Sequence, residues 1–437
     1  MSKKKKKQPL PKRQKADNHY LAVLFGLIII YFLSMVLVCA IPNSAVESHI
    51  MESIGQIQKN GLNPKIVLDE EAYKIDTFTD AIMLNMSYAA DSSHPLSSAI
   101  EANQKIVSHS ADVFNNIKAI KEGGTVREWS YGRYWHGWLV PVRTLLVFFN
   151  YNEIRYLNTI VMFLLLSVFL VLVYRKLGKK AFFAYVIGFA LINFWLIPLC
   201  LHYSSVFYIA LLAGLGILFV KEERFGLIFL IAGSLTSFLD LLAAPVITLG
   251  IPLIAACFKM REDKINVSLK RILSWCTLWA GGYIFTWLFK FLILALSGHQ
   301  QVLQESYDSI ALRSGNADGS SMKLADRFYN IAKNFNGLSL GRIGGVLTIG
   351  AILTAAGMLF AFEKTKLKQA CLLFAIACIP FIWYILLGNH SSVHIWFTYR
   401  TLLVFLIAFT AAVFSLIDFT LLKKKCRQLV LEKKKAV

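Results

Sequence analysis

Apolar residues in this chain come in long unbroken runs. Ten runs stand out, at 20–41, 156–174, 182–200, 203–220, 225–241, 244–259, 272–297, 343–362, 369–387 and 398–421. Most approach the roughly 20 residues an α-helix needs to cross about 30 Å of hydrocarbon. In lipid every backbone N–H and C=O must be bonded within the segment, so such runs are helices. The expected fold is an all-α polytopic membrane protein with about ten transmembrane helices. The runs at 225–241 and 244–259 are short and share the connection 240–244, with Pro245 opening the second. They predict tilted or shielded helices, or a hairpin that stops near the outer surface.

Two polar stretches interrupt the pattern. Residues 43–155 are too many for a connector and predict a large helical extracytoplasmic domain. Within it, 44–59 and 95–120 carry apolar residues three and four apart, as helices do. The stretch 129–156 is rich in Trp, Tyr and Arg. Its apolar patch 139–149 is too short to span and suits a helix lying flat on the outer interface. Residues 298–342 predict a second external loop, with a flexible part at 315–321. No internal sequence repeat is visible.

Composition agrees with the pattern. The chain has 437 residues, 56% of them hydrophobic, and a mean hydropathy of +0.56. Soluble domains run nearer 45–50% apolar. The net charge of +20 would suggest nucleic-acid binding on a soluble protein. Its distribution excludes that: 29 of the 46 Lys and Arg lie in 1–19, 175–181, 221–224, 259–271, 363–368 and 422–437, alternate connections between the runs. The segment 43–155 holds ten basic residues against thirteen acidic ones. By the positive-inside rule both termini are expected in the cytoplasm. The polybasic tail 1–18 then lies against anionic membrane lipids. At about 22 residues the first run is long for a signal peptide, and Val38 before Cys39 lacks the small residue of a lipoprotein site, so an uncleaved anchor is expected. The organisation reads as a cytoplasmic tail 1–19, a first helix 20–41, the external domain 43–155, a bundle of about nine helices over 156–421 and a basic tail 422–437. Six of the seven Cys fall in apolar runs and Cys426 in the basic tail, so no disulfide framework or CxxC metal site is implied.

Four groups of residues could carry chemistry. Asp76 and Asp80 are four apart, so a helix would set both carboxylates on one face, where they could hold a divalent cation or one could act as a base. Alternatively Asp76 caps a helix that starts at Thr77. Arg133, Trp135 and His136 lie among aromatics at 131–138, suited to stacking on a sugar and gripping a phosphate, or to an interfacial belt. Asp240 and Lys290 are charges within apolar runs, costly there and functional by default. They could pair, or Lys290 could snorkel outward or hold a phosphate. His390, His394 and Arg400 crowd the turn before the last run. The two histidines at i and i+4 could bind a metal if helical, or the turn is a cap with an anchoring Arg. All four groups are expected on the outer face. No P-loop and no GxGxxG is present, so no cytoplasmic nucleotide engine is implied.

The basic N-terminus, single first helix, large external loop with Asp76 and Asp80, amphipathic segment before the second run and many later helices together resemble the GT-C superfamily of membrane glycosyltransferases. The strings SFLDLLAAPVITLG and NHSSVHIWFTYR are similar to stretches of multi-pass proteins of Firmicutes-type bacteria, which implies a bacterial plasma membrane. The resemblance implies a polyprenyl-phosphate-linked sugar donor, transfer to an acceptor at the outer face, and Asp76 or Asp80 as base or metal ligand. Arg133, Lys290 and Arg400 become candidates for the lipid phosphate. Two other classes stay open: a transporter or flippase for a lipid-linked or anionic solute, and a non-catalytic envelope-assembly protein.

Overall fold

The computed structural model describes residues 12–61, 63–67, 71–107, 112–299, 301–316, 321–338, 350, 357 and 361–435. It is nearly all helical. Among the described residues six helices are long and apolar enough to cross a membrane: His19–Cys39, Tyr151–Leu177, Leu201–Phe219, Leu269–Leu296, Lys364–Leu386 and Ile395–Leu416. The expectation of about ten is met only in this part. Most of the expected run 343–362 lies outside the described residues.

The remaining three expected runs form helices too short to span. We number elements in chain order: α1 (Lys12–Cys39), α2 (Glu47–Asn60), α3 (Thr77–Ala89), α4 (Pro95–Glu101), β1 (Asn103–Ile106), α5 (Val113–Glu122), β2 (Arg127–Ser130), α6 (Leu139–Leu145), α7 (Tyr151–Leu177), α8 (Lys179–Leu191), α9 (Leu201–Phe219), α10 (Phe225–Leu239), α11 (Ile247–Glu262), α12 (Leu269–Leu296), α13 (Gln301–Ser314) and α14 (Leu324–Asn336). At 1.5 Å per residue α10 and α11 reach only about 22–24 Å. Helix α8 stops at Leu191, where Asn193 turns left-handed (φ 55°) into a 3-10 turn containing Pro198. Between α10 and α11 the chain reverses through Leu242 (φ 66°) and Pro245. Every residue of α11 from Ile247 to Cys257 is buried. A helix apolar on all sides belongs inside protein as readily as inside lipid. Run hydropathy cannot separate the two.

Helices α10 and α12 meet at glycine. A Cβ on Gly233 would collide with the Trp279 carbonyl oxygen, and one on Gly282 with that of Leu230. The close approach lets Ser234 bond Thr286 across the seam at 2.7 Å, with Tyr31 of α1 3.1 Å from Ser234. Small residues and interhelical hydroxyls are how helices associate without a hydrophobic drive between them.

The expected external domain, the segment between α1 and α7, contains α2–α6 and an antiparallel strand pair, Asn103 opposite Ser130 through Ile106 opposite Arg127. The expected helix 44–59 is α2. The expected helix 95–120 is broken: α4 ends at Ala102 in the left-handed region (φ 49°), β1 follows, and α5 starts after Asp112, whose side chain accepts from Asn115 N. The patch 139–149 yields only the seven-residue α6, with Leu139, Val142 and Arg143 buried. The region 298–342, expected as a loop, contains α13 and α14, and 317–320 of its expected flexible part lie outside the described residues.

Two apolar clusters organise the molecule. One fills the bundle among α7, α8, α9, α11 and the helix Leu403–Leu416. The other joins α1, the α2–α6 domain and the C-terminal parts of α10 and α12. The candidate site lies where the α2–α6 domain meets the long helices.

Candidate functional site

Asp76 is the N-cap of α3. Its Oδ1 accepts from Thr79 N at 2.9 Å and its Oδ2 from the Thr79 hydroxyl at 3.0 Å. The capping alternative holds, since Asp76 sits before the helix rather than on a face shared with Asp80. Its backbone N–H donates to Cys200 Sγ at 3.4 Å, which brings it to the start of α9.

Asp80 is fully buried and committed to holding elements together. Its Oδ2 accepts from the Tyr151 hydroxyl (2.7 Å) and Leu201 N (3.1 Å), and its Oδ1 from His202 N (3.1 Å). It thus satisfies two of the orphan N–H groups that open α9. Burial raises its carboxyl to about 7 against these bonds. The expected pair of carboxylates is therefore a cap and a cross-link. Among the described residues no group of three or more His, Cys, Asp and Glu gathers in a way that could hold a metal.

The segment 388–400 faces Asp76. Asn330 and Asn334 of α14 hold it, donating to the carbonyls of Gly388 (2.8 Å) and Ser391 (3.0 Å). His390 Nε2 donates to Leu242 O at 2.9 Å, which leaves Nδ1 to accept from Arg313 Nη1 at 3.4 Å. Burial and the Arg313 cation both push His390 down. The His394 ring lies 4.9 Å from that of His390 and stacks on Phe397. Burial takes it down to about 4; Arg313, His202 and Lys74 add to the fall and Asp76 opposes it. Asp76, His202, His394 and Arg313 therefore share one electrostatic neighbourhood.

Arg313 links this neighbourhood to a large cavity of about 680 Å³. One wall is a stripe on α12, Trp279, Tyr283, Trp287 and Phe291, each four residues from the last. The other is Ile376, Ile379, Ile382, Trp383 and Leu386. Lining residues Leu273, Ile284, Ile382 and Leu386 are each half or more exposed, so the cavity opens along the apolar flank. Its lining includes Arg133 and Arg313. Arg133 stacks on Tyr131 at 4.3 Å and Arg313 lies over Tyr134 at 5.7 Å. Asp240, buried, has Oδ1 on Ala243 N at 3.1 Å and Oδ2 without a bond among the described residues, within electrostatic reach of Arg313.

Three expected site residues serve elsewhere. Lys290 neither snorkels nor pairs with Asp240. It is buried, and its Nζ donates to the carbonyls of Ala99 (3.2 Å) and Ile100 (2.8 Å) near the end of α4. A short helix leaves those carbonyls orphaned, and the ammonium satisfies them. Trp135 donates its indole N–H to Thr286 O at 2.7 Å, tying the segment before α6 to α12. His136, left-handed at φ 54°, donates to Tyr131 O at 2.9 Å and is held down to about 3 by burial. Both are buried.

Sequence reading missed Arg313, His202 and Tyr203. Arg313 sat in an expected loop, His202 between two apolar runs and Tyr203 at the start of the second. The α12 aromatics carried a visible signal, their spacing of four.

No family model matches the chain, no curated protein matches it, and no solved structure matches it.

Proposed function

We propose that the protein is a membrane glycosyltransferase that takes a sugar from a polyprenyl-phosphate donor at the outer face of a bacterial plasma membrane. One observation carries the reading: an apolar cavity that runs along α12 and is lined by two arginines, one of which, Arg313, lies within electrostatic reach of His394, as Asp76 does. Its α12 wall extends from Leu269 to Phe291, about 33 Å of helix, enough to accompany a lipid chain through a leaflet and beyond. Arg133 and Arg313 are suited to a phosphate, since guanidinium binds it in a bidentate way.

In this reading the acceptor hydroxyl oxygen attacks the anomeric carbon. The bond from that carbon to the phosphate oxygen breaks, and the bonding pair leaves with the lipid phosphate. Arg133 and Arg313 stabilise the charge that develops there. Asp76 takes the hydroxyl proton. Asp80 acts as a positioning residue, fixing the start of α9 and so the side chains that face Asp76.

The test is transfer of radiolabelled sugar from polyprenyl-phosphate sugars to water-soluble acceptors by the purified protein in nanodiscs. Asp76→Asn is expected to lower kcat about 100-fold or more. Arg313→Gln and Arg133→Gln are expected to raise the donor KM. Transfer that survives all three changes would sink the reading.

A further inference from the structure

Unpaired polar atoms are rare in a protein interior, and here they cluster. Five lie where the segment 394–400 meets the start of α9: Tyr203 OH, His394 Nδ1, Trp396 Nε1, and Nε and Nη2 of Arg400. Each is buried without a hydrogen-bond partner among the described residues. Native structures leave only a few such groups, and each calls for an explanation. The indole and guanidinium nitrogens can only donate.

Arg400 is 1% exposed. Its Nη1 donates to Trp396 O at 2.5 Å, and its charge lies 4.6 Å from the Tyr203 ring and 4.7 Å from the Tyr399 ring. Among the described residues no carboxylate comes within salt-bridge distance of it. The nearby carboxylate, Asp76, already caps α3 with both oxygens. A buried cation without an anion is costly, and the rings return only part of that cost. The edge of the cluster is the half-buried Trp396, whose ring Lys74 covers at 3.8 Å. A second cation thus stands at the approach.

We propose that Arg400, Tyr203 and Trp396 form a second anion subsite, distinct from the Arg133–Arg313 pair, that takes the phosphate or carboxylate group of a water-borne substrate. Calling that substrate the acceptor rests on the transferase reading; the anion site itself rests on the unpaired donors. The acceptor is then a molecule that carries an anionic group beside its hydroxyl rather than a neutral sugar. Its anion at Arg400 would bring a neighbouring hydroxyl toward Asp76, which the α3 cap holds beside the same α9 turn.

The probe is glycerol 3-phosphate, titrated calorimetrically into the full-length protein in phosphatidylcholine nanodiscs. An Arg133→Gln/Arg313→Gln background removes the lipid-phosphate arginines. Saturable binding is expected to persist in that background. Arg400→Gln should weaken it at least tenfold, and Tyr203→Phe, which keeps every ring contact, about tenfold. Should Arg400→Gln fail to fold, Tyr203→Phe and Trp396→Phe decide. Absence of saturable binding, or affinity unmoved by these variants, overturns the subsite. Replacing half the lipid by phosphatidic acid tests the source: competition with the probe would assign the subsite to a lipid headgroup and overturn the water-borne substrate. No sugar transfer is measured, so probe binding with transfer absent would sink only the transferase reading.

Discussion

The Asp80 carboxylate accepts a hydrogen bond from the Tyr151 hydroxyl at 2.7 Å, with both residues buried where the α2–α6 domain meets the bundle. Burial holds the carboxyl at about 7, well above its value of 3.8 in a solvated chain. Between those values the folded protein keeps a proton that the unfolded chain has lost. Stability from Asp80 is therefore full below about pH 4 and falls as pH rises toward 7, by on the order of 1 kcal/mol per unit. His136 and His394, held down to about 3 and about 4, act in the opposite sense: their contribution is present above 6.5 and is lost as pH falls. The Asp80 contribution is thus a difference. Thermal unfolding between pH 4.5 and 7.5 should show a more positive stability slope for Asp80→Asn than for the native protein. Parallel slopes would refute the assignment.

The α10–α12 seam predicts a steric cost. A methyl group on Gly233 or Gly282 would strike backbone carbonyl oxygen rather than a movable side chain. Gly233→Ala and Gly282→Ala should each destabilise by about 1–3 kcal/mol. Gly281, where nothing lies within 4 Å of an added Cβ, should accept Ala with no loss. Unfolding in detergent of the three variants makes the comparison.

Arg143 anchors the end of the first helix. Fully buried, it donates to the carbonyls of Val38 (3.2 Å), Ile41 (2.8 Å) and Ser87, and to Asn43 Oδ1 (2.6 Å). Val38 lies in the last turn of α1 and Ile41 just beyond it, where carbonyls lack the i+4 N–H of a continuing helix. Arg143→Gln leaves several of them unsatisfied and should cost roughly 3 kcal/mol or more. The expected readout is earlier proteolysis of 43–155 than of the bundle; simultaneous cleavage would argue against this role.

Lys290 should behave as a structural residue. Lys290→Met strands the carbonyls of Ala99 and Ile100, at about 2 kcal/mol of stability. The donor KM in the transfer assay should stay within twofold of the native value. A rise like that of Arg313→Gln would return Lys290 to the phosphate site.

The sequence by itself determined that the chain is a helical membrane protein with a large polar domain after its first helix. It did so because burial in lipid is an additive property of consecutive residues. It also offered the Asp76 cap, which depends on only three neighbouring positions. Which apolar runs span was decided by packing: α7 shows lipid-type exposure while the equally apolar α11 is enclosed by protein. Which charges meet was likewise tertiary. Lys290 and Arg400 look alike as cations at the ends of apolar runs, yet one meets two orphan carbonyls and the other meets one carbonyl and keeps two nitrogens unpaired among the described residues. Partners separated by 70 to 200 positions are set by helix crossings, and no local pattern of residue types encodes those.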